Sequence, residues 1–289
     1  MSIAFLNGSF LPLEEARISP LDRGFLFADG VYEVIPYYSG EPFGLEGHLI
    51  RLQRSLEAVR IPLSTTTAEW EALLQQLVVK NGGGDLSVYL QITRGAYETR
   101  NHAFPDEISP TIFAMVSPIT PPLAADATKA KGITAMTIPD TRWSRCDIKS
   151  IALLPNILLK QQAADSGAQE AILVRDGHIT ECAAANVFAV KNGTIYTPIK
   201  DDHILGGITR DIIIGLAQDH HMPLQEIAMT QEFLEQADEV WISSSTREIL
   251  PVVELNSRPV GNGEPGALWQ LMAEHYQANK KRVFREANV

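Results

Sequence analysis

Cysteine is scarce in this chain. Only Cys146 and Cys182 occur in 289 residues. That is too few for a disulfide framework or a cysteine metal cluster, and it suits a reducing compartment such as the cytoplasm. Basic residues are also in deficit: 24 Lys and Arg stand against 35 Asp and Glu, a formal net charge of −11. Such an excess argues against nucleic acid as a partner. No apolar run is long enough to span a membrane, since the stretch from Ile151 to Leu159 is broken by Pro155 and Asn156. The opening Met1-Ser2-Ile3-Ala4-Phe5-Leu6 has no basic region and meets Asn7-Gly8 at once, so no signal peptide is expected. Internal repeats and low-complexity tails are missing as well.

What is present fits a globular protein. Hydrophobic content is 45%, and the length allows two domains. Asn7-Gly8 between apolar runs predicts a hairpin. Val31–Tyr38, Leu86–Thr93 and Thr111–Val116 read as strands. Leu45, Leu49, Leu52, Leu56 and Val59 recur at helical spacing, and Thr66 or Thr67 is placed to cap a second helix carrying Trp70, Leu74 and Leu77. A linker is expected over residues 119–123, dividing a small N-terminal domain (1–118) from a larger one (124–289). In the second part, Arg145–Ser150 reads as a strand and Pro155 to about Asp165 as a helix. Asp176-Gly177 and Asn192-Gly193 punctuate a run of short strands expected to form an antiparallel meander. Ile208–Asp219 and the segment from Gly266 are helical. Strands and helices without strict alternation predict an α+β protein.

Four features carry chemistry. Lys149 stands just before Ile151-Ala152-Leu153-Leu154, and a lysine amine among apolar neighbours gives up its proton more readily and attacks carbonyls. Such a lysine suits pyridoxal 5′-phosphate (PLP), which is held as an imine. Glu181 ends a strand before the small residues Cys182-Ala183-Ala184-Ala185, where a carboxylate can face a flat ring and keep its nitrogen protonated. Gly206-Gly207-Ile208-Thr209 opens a helix, whose free N–H groups attract phosphate. Ser243-Ser244-Ser245-Thr246 adds donors, and Arg51 adds a cation. Arg100-Asn101-His102 lies in a polar loop, and an arginine fork there suits a carboxylate. Taken singly, each has an ordinary reading as a solvated lysine, a strand-end glutamate, a turn or a surface loop.

Together the motifs resemble the fold-type IV PLP-dependent aminotransferases, and within them the D-amino acid branch. The resemblance runs from about Phe5 to the C-terminal helix. It rests on Asp22-Arg23-Gly24, Asp29-Gly30-Val31-Tyr32-Glu33, His48-Leu49-Ile50-Arg51-Leu52 and Thr93-Arg94-Gly95 leading to Arg100-x-His102. Trp143 with Arg145 to Ser150, Thr180-Glu181 with Asn186-Val187-Phe188, and Gly207-Ile208-Thr209-Arg210 complete it. It implies the family's fold: two α/β domains with largely antiparallel sheets. Lys149 would hold PLP and shuttle the proton between Cα and C4′. Glu181 would pair with the ring nitrogen. Arg51, Ile208, Thr209 and Ser245 would bind the phosphate, and Leu205 would pack on the ring. Tyr32, Arg100 and His102 would trap the substrate α-carboxylate. In that family the trap reaches the site of a neighbouring subunit, so a homodimer is implied, with amino acids and 2-oxo acids as substrates and no metal.

The implied activity is transamination between a D-amino acid such as D-alanine and a 2-oxo acid such as 2-oxoglutarate. Branched-chain L-amino acid or (R)-amine aminotransferases and an aminodeoxychorismate-lyase-like enzyme are the alternatives on the same cofactor. A non-enzymatic phosphate-binding protein is a further alternative. The run Cys182-Ala183-Ala184-Ala185 departs from the serine run often found after the glutamate, which makes the site more apolar.

Overall fold

The computed structural model describes residues 2–120 and 130–286, with side chains through residue 282. The chain divides into two compact units, Met1–Thr120 with Ile148–Leu153, and Pro121–Asp147 with Leu154–Val289. Of the linker expected over 119–123, residues 121–123 lie outside the described residues. The segment Ile148–Leu153 groups with the N-terminal unit, whereas the sequence pattern places it within residues 124–289.

In the first unit, β1 (Ile3–Leu6) and β2 (Ser9–Pro12) form the predicted hairpin, with Asn7 at φ 46° and Gly8 at φ 90° as its turn. The short helix α1 (Arg23–Phe27) precedes β3 (Gly30–Tyr38) and β4 (Glu41–Pro42). Then come α2 (Leu45–Ala58), α3 (Thr67–Lys80), β5 (Leu86–Thr93) and β6 (Thr111–Pro118). The strands make one antiparallel six-stranded sheet in the order β2-β1-β6-β5-β3-β4. Thr66 caps α3 through a capping box with Glu69, which satisfies N–H groups at the helix start. Leu49, Leu52 and Leu56 of α2 join Leu74 and Leu77 of α3 in a core with Val31, Ile35 and Val88. Each such buried side chain contributes about 1.5–3 kcal/mol relative to exposure.

The second unit holds β7 (Ile133–Pro139), α4 (Leu154–Asp165), β8 (Glu170–Arg175), β9 (His178–Cys182), β10 (Asn186–Lys191) and β11 (Thr194–Pro198). It continues with α5 (Ile208–Asp219), β12 (Leu224–Ile227), α6 (Gln231–Glu235), β13 (Glu239–Ser244), β14 (Glu248–Leu255), β15 (Arg258–Pro259) and α7 (Ala267–Glu286). These strands form a nine-stranded sheet, β12-β11-β10-β13-β14-β7-β8-β9, with β15 paired to β14. Most pairings are antiparallel, as the fold class predicts, but β7–β8, β14–β7 and β11–β12 are parallel. The meander therefore gives way to two hairpins, β8–β9 and β10–β11, with other strands between them in the sheet. A parallel neighbour needs a crossover, and the connection through α4 supplies one between β7 and β8. Arg145–Ser150 is not a strand. Its backbone turns, Arg145 folds onto Asp147, and only Ser150 makes an isolated bridge, with Val31. No helix among the described residues is long and apolar enough to cross a membrane.

Candidate active site

Lys149 sits beside β3. Ile148 is buried in the core of the first unit and anchors the segment. The Tyr32 N–H donates to the Lys149 carbonyl at 3.0 Å, and the Ile151 N–H donates to the Gly30 carbonyl at 3.1 Å. The Lys149 N–H donates to Ser55 Oγ of α2 at 3.3 Å. Glycine is required at position 30 because a Cβ there would come within 2.7 Å of the Ile92 carbonyl oxygen. With its backbone fixed in this way, Lys149 places Nζ 4.3 Å from the centre of the Tyr32 ring, and Tyr32 stacks on Tyr89. The electron-rich ring face attracts the ammonium.

Arg51 lies on α2 in a buried cluster. Its Nε and Nη2 donate to the two oxygens of Glu33 at 2.8 and 2.6 Å, and His48 Nδ1 lies 2.7 Å from Glu33 Oε2. Burial alone would push the Glu33 carboxyl up, but the Arg51 charge and the hydrogen bonds from Arg51 and His48 outweigh it and hold Glu33 at about 2. Burial lowers the pKa of His48 despite Glu33, so the imidazole is neutral at neutral pH and donates through Nδ1. Glu33 ends the motif Asp29-Gly30-Val31-Tyr32-Glu33, and the structure gives it the role of holding Arg51. Its signal was available, because Val31, Glu33 and Ile35 share one face of a strand by period-2 alternation. A carboxylate among core positions requires cationic partners.

Arg100 and His102 lie exposed in the loop after β5. The Arg100 guanidinium stands 4.7 Å from the Phe27 ring centre, and the His102 ring stands 5.1 Å from it.

In the second unit, Glu181 is buried near the end of β9. Its Oε1 accepts from Arg142 Nη1 at 2.5 Å, and its Oε2 accepts from Asn186 Nδ2 and the Leu205 N–H, both at 3.2 Å. Arg142 also pairs with Asp140 through Nε and Nη2. Burial works against its charge, but Asp140 and Glu181 more than restore it, and Arg142 is permanently cationic. Asn186 Nδ2 also donates to the Leu205 carbonyl at 2.9 Å, and Asn186 pairs with Ser243 across β10 and β13. Leu205 thus leads directly from the carboxylate to Gly207, the N-cap of α5, where no side chain among the described residues supplies a capping hydrogen bond. Ile208 and Thr209 open that helix, and Thr209 is buried. Ser245 lies in the turn between β13 and β14. A Cβ at Gly207 would fall 2.0 Å from Asn186 Oδ1, so any larger residue there must displace the Asn186 amide.

These groups fit PLP. An anionic carboxylate backed by a fixed guanidinium suits a protonated ring nitrogen, and an uncapped helix N-terminus suits a phosphate. Nearby, the buried Ser243 Oγ has no hydrogen-bond partner among the described residues. Sequence reasoning missed Arg142, Asn186 and Ser243 as individuals; Arg142 stands in an Asp-x-Arg pair that reads as a surface turn. The cysteines offer no nucleophile. Burial pushes the Cys146 thiol up to about 11 and Cys182 well above the ordinary range.

A model of the family described as amino-transferase class IV matches residues 30–255. The chain belongs to the class IV aminotransferases. It is 39% identical to a D-alanine aminotransferase of Staphylococcus haemolyticus, over 96% of this chain and 97% of that one. Identity with a D-alanine aminotransferase of Bacillus licheniformis is 40%, over 93% of each chain. Among solved structures, the branched-chain amino acid aminotransferase of Escherichia coli superposes with a TM-score of 0.88 at 27% identity, covering 94% of this chain and 92% of that one. The PLP form of the corresponding enzyme from Thermobaculum terrenum gives 0.86 at 25% identity, covering 99% and 96%. As a class IV aminotransferase, the chain carries the expected α+β fold with mostly antiparallel pairing.

Proposed function

We propose that this chain moves an amino group between a D-amino acid such as D-alanine and a 2-oxo acid such as 2-oxoglutarate, with PLP as cofactor. The observation that carries the reading is the 39% identity with D-alanine aminotransferases across nearly the whole chain. PLP, when bound, supplies an electron sink for the bond broken at the substrate Cα. The rest falls to the protein. Lys149 Nζ holds the cofactor and afterwards carries the proton taken from the substrate Cα. Glu181, kept anionic beside Arg142, holds the proton on the ring nitrogen. Ile208 and Thr209 at the start of α5, with Ser245 and Arg51, bind the phosphate, and Leu205 packs against the ring. Tyr32, Arg100 and His102 orient the substrate α-carboxylate, and so decide which hand of amino acid presents its Cα proton to Lys149.

The working molecule is a cytoplasmic homodimer of chains with a small N-terminal domain and a larger cofactor-binding domain. Arg100 and His102 serve the neighbouring subunit's site. A second reading, branched-chain L-amino acid transamination, draws on the structural likeness to enzymes of that name. Arg100→Leu tests between them. Losing a hydrogen bond to a charged group costs about 1.5–3 kcal/mol, roughly ten- to a hundred-fold in binding. D-alanine and 2-oxoglutarate should weaken by that factor with cofactor retention unchanged. Unaltered D-alanine kinetics would remove the carboxylate trap from the reading.

A further inference from the structure

The loop carrying Arg100 and His102 contains no helix and no continuous strand between Thr93 and Thr111. Side chains from α1 hold it instead. Arg23 is buried, and its guanidinium is fixed at one edge by donation from Nε to Asp29 Oδ2 at 2.8 Å. Its remaining donors reach three successive carbonyls of the loop: Nη1 to Asn101 at 2.5 Å and to Ala103 at 3.3 Å, and Nη2 to His102 at 3.2 Å. Asp29 is itself clamped by Arg94, whose Nε and Nη2 donate to it at 2.7 and 2.9 Å. Phe27, one helical turn after Arg23, offers its ring to both side chains of the loop. The Arg100 guanidinium lies 4.7 Å from its centre and the His102 ring 5.1 Å, tilted by 47°. One guanidinium therefore holds the loop backbone and one ring holds its two functional side chains.

The helix that carries them is made rigid by tertiary contacts rather than by propensity. Asp22 caps it through the Gly24 N–H at 2.7 Å, and the other oxygen of Asp22 accepts from Thr111 Oγ1 at 2.6 Å. Because Thr111 closes the far end of the same loop, α1 is tied to that loop at two places.

We propose that Arg23 and Phe27 are positioning residues that set recognition of the substrate carboxylate by aiming Arg100 and His102. This rests on the reading of Arg100 and His102 as the carboxylate trap. The ordinary alternative, that both residues only stabilise the fold, makes different predictions. A flexible guanidinium or imidazole loses affinity when its orientation must be fixed at binding, so the effect falls on carboxylate affinity. Lysine cannot replace Arg23, because a single ammonium does not span Asp29 and three carbonyls.

The test uses the PLP-loaded enzyme with Phe27→Leu, Phe27→Tyr and Arg23→Lys. Three quantities are measured: KM and kcat for D-alanine, the inhibition constant of propionate as a carboxylate without an amino group, and Tm. Loss of the aromatic face in Phe27→Leu should raise KM and the propionate constant together by about 3- to 30-fold. The effect on kcat should be much smaller, and Phe27→Tyr should restore both constants. Arg23→Lys should raise them by about tenfold or more. In an Arg100→Leu background, Phe27→Leu should add less than it does in the wild type. Unmoved propionate binding in both Phe27→Leu and Arg23→Lys, while Arg100→Leu weakens it, overturns the positioning role alone. If Arg100→Leu also leaves propionate and D-alanine unchanged, the trap reading and this inference fail together.

Discussion

Replacing Glu33 by glutamine should unsettle the first unit in a pH-dependent way. The side chain of Glu33 is fully buried and receives two hydrogen bonds from Arg51 and one from His48. Burial raises its pKa, yet Arg51 and His48 hold it at about 2 against an ordinary 4.5. At about 1.4 kcal/mol per pKa unit, ionised Glu33 stabilises the fold by on the order of 3 kcal/mol. Because the folded pKa is depressed, that stability is present above pH 4.5 and is lost as pH falls toward 2. Glu33→Gln keeps the shape but leaves the Arg51 cation buried without its counter-charge, a cost of about 3–5 kcal/mol. Equilibrium urea unfolding of wild type and variant at pH 7 and pH 3 measures the difference. It should be several kcal/mol at pH 7 and shrink by roughly half at pH 3, where wild-type Glu33 is itself giving up its advantage. A difference under about 1 kcal/mol at pH 7, or one equally large at both pH values, would refute the reasoning. Since Arg51 also loses its holder, the variant should retain PLP less well on dialysis.

Lys149→Ala should abolish the absorbance of lysine-held cofactor and nearly all turnover while the fold survives, and normal turnover would contradict the assignment. Mixed with Arg100→Ala subunits, it should regain part of the activity, because one of the two hybrid sites keeps both residues; no recovery in demonstrated heterodimers would place the trap within one chain. Glu181→Gln should retain the cofactor but slow loss of the Cα proton of deuterium-labelled D-alanine, because the ring nitrogen loses its anionic partner; full activity would mean that another acid faces the ring. Gly207→Ala should push Asn186 off Leu205 and Glu181, since a Cβ there lies 2.0 Å from Asn186 Oδ1. PLP retention should fall several-fold on dialysis, and unchanged retention would show that this segment does not cradle the cofactor.

Much of the fold was legible because local periodicity reports local structure. Leu86–Thr93 and Ile208–Asp219 read from the sequence with the bounds they have in the fold. Helix α2 was marked by its leucine stripe, and the hairpin turn by Asn7-Gly8. By contrast, α1 spans five residues including a glycine and exists because Asp22 and Thr111 hold it. No window of propensity contains that information. The parallel pairings of β7 with β8 and β14 join segments far apart in the chain, which periodicity cannot rank. Arg145–Ser150 looked like a strand from its composition, but the Asp147 N–H bonds to the Asp202 carbonyl and the chain turns. Among candidate site residues, Lys149 and Glu181 stood out as charges among apolar or small neighbours. The buried partners did not stand out, because Arg142 meets Glu181, and Glu33 meets Arg51, across sequence separations that no local pattern reports.

The central claim is tested most directly by the hand of the amino acid. Purified PLP-loaded enzyme is given 2-oxoglutarate with a panel of D- and L-donors, including D-alanine, L-alanine and L-leucine, and the glutamate formed is resolved by chiral chromatography. The account predicts turnover with D-alanine, little with the L-donors, and D-glutamate as the product. L-glutamate formed from L-leucine in preference to any D-donor would contradict it and favour the branched-chain reading.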